Sequence, residues 1–134
     1  MKTIGIDTNI LLRLIVDDDE EQRERVRGFG ARLNKDYRGL ITLLAMLEID
    51  WALRSQYGFT RRQCSTALGK LMRIRGVEIE CHDVMARALI LVEEANADLA
   101  DALIAGRSAD LGCTETVTLD RKAAQRIPSM TLLA

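Results

Sequence analysis

Residues 2–9 read Lys2-Thr3-Ile4-Gly5-Ile6-Asp7-Thr8-Asn9. A short apolar run with β-favouring residues, ending in an acidic residue and two residues suited to helix caps, predicts a strand whose carboxyl end presents a carboxylate. In an open α/β sheet the ligand crevice lies outside the carboxyl ends of the parallel strands. What matters in the rest of the chain is which other carboxylates reach that edge.

With 134 residues the chain suffices for one compact domain, 1–134. Hydrophobic residues make up 48%, but there are only two Phe, two Tyr and one Trp, so the core must be mainly aliphatic. A net charge of −1 provides no global basic field, and any nucleic-acid contact must be local. Cys64, Cys81 and Cys113 are odd in number and form no C-x-x-C pair, which argues against a disulfide framework and for small buried thiols in a reducing compartment. His82 beside Cys81 lacks the further ligands of a zinc site. There is no leader-like start, and the longest uncharged apolar stretch, Gly39 to Leu47, is too short to span a bilayer, so a cytoplasmic protein with no membrane partner is expected.

In chain order, Ile10–Val16 reads as a helix following the Thr8 and Asn9 caps, with Leu11, Leu12 and Ile15 inward. Asp17, Asp18, Asp19, Glu20 and Glu21 open a second helix to about Leu33, striped by Val26, Phe29 and Leu33; acids in a first turn are stabilised by free backbone N–H groups and stay solvated. Gly39–Thr42 is a strand, and a helix begins near Leu43. There Glu48 has Leu44, Ala45, Trp51 and Ala52 as neighbours, an apolar face on which a carboxylate needs a partner such as Arg54, or a cation. After Gly58, Thr60 caps a helix to about Arg75 with Cys64, Ala67, Leu68, Leu71 and Met72 inward. Six basic residues between Asp50 and Val77, against Asp50 alone, make this arm a candidate for phosphate contact. Val77–Glu80 is a strand, and Asp83 caps a helix from Val84 to about Ala95 with Ala88, Leu91 and Val92 inward. Asp98 caps the next helix, with Asp101 in its first turn answering the helix dipole or facing the crevice. Thr114–Leu119 is a strand ending in Asp120, a short helix follows and stops before Pro128, and Thr131–Leu133 is an edge strand. This alternation predicts a three-layer α/β/α domain with a mostly parallel central sheet.

Singly, Asp7, Glu48, Asp101 and Asp120 have ordinary explanations as helix caps or ion-pair members. Four carboxylates converging on one crevice would repel one another and raise each other's pKa unless cations neutralised them. Oxygen-only ligands select a hard ion, Mg²⁺ or Mn²⁺, which polarises phosphate oxygens and acidifies bound water.

Asp7-Thr8-Asn9 after an apolar strand, Glu48 within Leu44-Ala45-Met46-Leu47-Glu48-Ile49-Asp50-Trp51-Ala52-Leu53, Asp98-Leu99-Ala100-Asp101-Ala102-Leu103-Ile104-Ala105, and Thr118-Leu119-Asp120-Arg121 occur in that order. Together they resemble the ordered signature of the PIN-domain nucleases and, more closely, the VapC-type toxins of bacterial toxin–antitoxin pairs. The resemblance covers nearly the whole chain and implies a PIN-like fold. It implies that Asp7, Glu48, Asp101 and Asp120 are catalytic, metal-binding acids, with Asp98, Thr8, Asn9 and Thr118 in support. The implied activity is Mg²⁺- or Mn²⁺-dependent endoribonuclease, in which activated water attacks phosphorus to leave a 5′-phosphate and a 3′-hydroxyl. The implied partners are RNA, a VapB-like antitoxin and a second copy in a homodimer. Arg13, Arg54, Arg61 and Arg62 are the candidates for contact with RNA. A single histidine independently excludes a paired-histidine mechanism. Two alternatives stand beside this: a catalytically idle PIN-fold module acting only within a regulatory complex, and a phosphatase of the haloacid dehalogenase type. The phosphatase needs an aspartate where Asn9 stands.

Overall fold

A computed structural model describes residues 1–16 and 19–134; Asp17 and Asp18 of the expected acidic helix start lie outside the described residues. Strand β1 (Lys2–Gly5) is followed by helices α1 (Thr8–Ile15) and α2 (Glu20–Arg32). Then come β2 (Tyr37–Ile41), α3 (Leu43–Tyr57), α4 (Arg61–Met72) and β3 (Val77–Ile79). The chain continues through α5 (His82–Ala95), α6 (Leu99–Asp110), β4 (Thr116–Thr118), α7 (Arg121–Arg126) and β5 (Met130–Leu132).

Every strand pair is parallel, as expected where each pair is joined by helical crossovers. β2 lies between β1 and β3, while β4 pairs with β5. The α/β class and parallel character follow the sequence pattern. The strands, however, are divided between a three-stranded and a two-stranded ladder, leaving β1 at an edge with Lys2, Thr3 and Gly5 exposed. The core is aliphatic: Leu11, Ile41, Met46, Ile49, Leu53, Leu68, Met85 and Ile127 are fully buried. Among the described residues no helix is long and apolar enough to cross a membrane.

Helix ends explain how the site residues are presented. The Thr42 hydroxyl accepts the Ala45 N–H at 3.1 Å, and the Glu80 carboxylate accepts the Leu43 N–H at 2.8 Å, so two acceptors fix the start of α3. Thr60 and Gln63 form a reciprocal capping box at α4. Helix α1 begins earlier than the pattern suggested. Asp7 is its N-cap and makes no side-chain capping bond, while Thr8 and Asn9 lie in the first turn. Helix α5 likewise starts at His82, after Cys81 in a left-handed conformation, rather than after Asp83. Of the three thiols only Cys64 is buried, and Cys113 is exposed, which corrects the expectation that all three fill the core.

Gly76 turns the chain into β3 at φ +89°, and a Cβ added there would lie 2.8 Å from the Asn34 backbone nitrogen. Backbone conformation and contact therefore both oppose a side chain. Gly76→Ala is expected to cost more than about 1 kcal/mol in urea unfolding, whereas Gly28→Ala, where the added Cβ meets nothing within 4 Å, should not destabilise.

Candidate acidic site

Glu48 was expected on an apolar face pointing inward. Of its apolar neighbours Ala45 and Ala52 are buried, but Leu44 is 78% exposed and Trp51 59% exposed, and Glu48 itself is exposed. The inner face of α3 carries Ala45, Met46, Ile49, Ala52 and Leu53. Glu48 is held by the buried Thr8, whose hydroxyl donates to Oε1 at 2.6 Å. This bond ties the start of α1, where the exposed Asp7 keeps its carboxylate free of capping, to the middle of α3.

A second group forms where α6 and α7 begin. Asp98 caps α6 by accepting the Asp101 N–H at 3.3 Å, and Asp120 caps α7 by accepting the Ala123 N–H at 3.1 Å. The Thr118 hydroxyl accepts the Asp120 N–H at 3.0 Å, which fixes the strand-to-helix corner. Asp98, Asp101 and Asp120 line a cavity of about 370 Å³ with Arg61, Lys122, Ala123 and Arg126. Burial, then the neighbouring Asp98 and Asp120 carboxylates, push the Asp101 pKa up, and Arg61 partly opposes them.

The buried carboxylate of α3 is Asp50, one residue type the sequence pattern did not single out. It is 5% exposed and receives Arg54 Nη2 at 2.9 Å. The same Arg54 nitrogen lies 3.5 Å from Asp98 Oδ1, so Arg54 serves Asp50 and Asp98 rather than Glu48. Burial raises the Asp50 pKa in spite of this arginine. The i, i+4 spacing of Asp50 and Arg54 was the available signal. Of the other arginines, Arg13 donates to Gln22 in the α1–α2 cleft, which Asn9 also lines, and Arg62 lines a separate groove with Leu14 and Phe59.

The four acids therefore stand as two groups, Asp7 and Glu48 about Thr8, and Asp101 and Asp120 with Asp98. α3 packs against both α1 and α6, but Asp7 and Glu48 do not line the cavity of the other group. Asp7 leaves β1 and Asp120 follows β4, and these strands belong to different ladders. Among the described residues no three acidic, histidine or cysteine side chains are grouped to hold a metal ion. The donor chemistry suits a hard divalent cation, and Asp98 and Asp120 each spend an oxygen on a cap.

No family model and no curated protein matches the chain. Among solved structures, the chain is similar at 18% identity and a TM-score of 0.39 to a chain in the crystal structure of VapBC2 from Rickettsia felis bound to a DNA fragment from their promoter, covering 99% of this chain and 98% of that one. It is similar at 19% identity and a TM-score of 0.35 to a chain of a toxin–antitoxin complex from Klebsiella pneumoniae, covering 98% and 96%. At this identity and overlap, function has to be argued from the chain's own residues.

Proposed function

We propose that this protein is an endoribonuclease of the PIN type, acting as the VapC-like toxin of a toxin–antitoxin pair and inhibited by a VapB-like antitoxin. The observation that carries the proposal is the cavity in which Asp98, Asp101 and Asp120 face Arg61, Lys122 and Arg126. Cations in the lining suit an anionic phosphodiester chain, and clustered carboxylates suit the chemistry of activating water beside it. Asp101, the more buried of the two expected acids in this cavity, is the group best placed to take a proton from water there. Thr118 and Asp98 hold the two helix starts that present it and Asp120. Asp7 and Glu48, joined through Thr8, complete the proposed set of acids.

Mg²⁺ or Mn²⁺ is the proposed cofactor, on donor chemistry alone, since an oxygen-only set selects hard ions. The proposed assembly is a cytoplasmic homodimer, and its products carry a 5′-phosphate and a 3′-hydroxyl. Purified protein freed of any antitoxin is expected to cut RNA in Mn²⁺ and to stop cutting in chelator, read as new 5′-phosphate ends. An intact RNA pool at micromolar protein and millimolar metal would support instead an idle module that works only in a complex.

A further inference from the structure

Arg61, the first residue of α4, and Arg126, the last of α7, converge on one atom: the Asn96 carbonyl oxygen accepts Nη1 of Arg61 at 2.8 Å and Nη1 of Arg126 at 3.1 Å. Asn96 is the C-cap of α5, in the left-handed conformation at φ +54°. Its carbonyl sits at the negative end of the α5 dipole, which offsets part of the repulsion between two cations sharing an acceptor. Three elements distant in sequence thus hold two half-buried arginines together. Among the described residues neither guanidinium has a carboxylate within salt-bridge distance. Each guanidinium carries several N–H donors and spends one on Asn96, so the pair retains donors in the planar fork geometry that fits phosphate oxygens. Lys122 lines the same cavity.

We infer that Arg61 and Arg126, gathered on the Asn96 carbonyl, form an anion clamp that grips a backbone phosphate of the RNA next to the one positioned at Asp101 and Asp120. The inference rests on the ribonuclease proposal for the identity of the chain that is gripped. A rival account is that both arginines merely cap α5. A cap alone would show in stability and leave nucleic-acid affinity unmoved.

The test measures binding of a labelled single-stranded RNA to full-length Asp101→Asn protein in chelator, across a range of salt concentrations. Arg61→Gln and Arg126→Gln, each added to that background, are expected to flatten the plot of log affinity against log salt by about 0.7 apiece, and together by about twice that. Arg126→Lys, which keeps the charge, should keep the slope, and so should Arg38→Gln, whose arginine pairs with Glu78 on the β-strands. Parent slopes in both single Gln variants, or no RNA binding by the parent, would overturn the clamp. A flattened slope in a protein that cuts no RNA with any metal would leave the clamp standing and the ribonuclease proposal refuted. Cutting by the unmutated protein with unmoved slopes would do the reverse.

Discussion

Asp101→Asn is expected to lose RNA cutting by about 10²-fold or more and at the same time to melt at a higher temperature than the parent. The two effects share a cause. Burial and the Asp98 and Asp120 carboxylates raise the Asp101 pKa above its ordinary 3.8, so the folded protein binds a proton more tightly than the unfolded chain. For such a group stability falls as pH rises from the unfolded value through the raised folded one, and above that the penalty is constant. Asparagine keeps the shape without the charge, and the Asp98 cap survives because it uses the Asp101 backbone N–H. The gain in Tm should therefore grow as pH rises toward 7 and vanish below about pH 4. Thermal melts in chelator at both pH values, beside a cleavage assay, check it. Undiminished cutting would remove Asp101 from the proposed machinery, and a lower Tm at pH 7 would show that the carboxylate is stabilised where it lies.

Arg54→Met is expected to cost about 3 kcal/mol or more, because it strands the Asp50 carboxylate inside the protein. With Arg54 present, burial already raises the Asp50 pKa; without it the carboxylate has lost the cation that lowers it. The sign is again that of a raised acid. The deficit should be largest at neutral pH and shrink as pH falls and Asp50 takes up a proton. Replacing both partners, Asp50→Leu with Arg54→Met, should restore much of the stability, since apolar groups of similar volume often match or exceed a buried ion pair. Urea unfolding of the single and double variants between pH 5 and 8 decides the matter. A double variant no more stable than Arg54→Met would show that the lost contact with Asp98, and not the stranded charge, sets the cost.

Much of this was legible from local patterns. Apolar runs of strand length alternating with cap-and-stripe segments mark each element to within a few residues, and Thr60 with Gln63, or Asp98 before Leu99, state where helices begin. The inward face of α3 was not legible. Leu44 and Trp51 make its outer side apolar as well, so periodicity cannot choose between Glu48 and Asp50, two positions apart. Only tertiary packing decides, and it buries Asp50. Nor can sequence show a backbone carbonyl gathering two arginines, since Asn96 acts there through its C=O and its left-handed backbone, which no side-chain pattern encodes. Strand pairing is nonlocal in the same way, and short strands such as Thr116–Thr118 carry little signal about their partners.

The outward position of Trp51 also gives the molecule a built-in spectroscopic reporter. It is the sole indole, and it stands three residues from Glu48 on the same helix. Since emission wavelength follows the polarity around the ring, the native protein should already fluoresce near the colour of a hydrated indole, and denaturation should barely move it. Any molecule that settles over this side of α3 would shift the emission toward the blue. Titrations followed in this way would report occupancy of the Glu48 neighbourhood without a label.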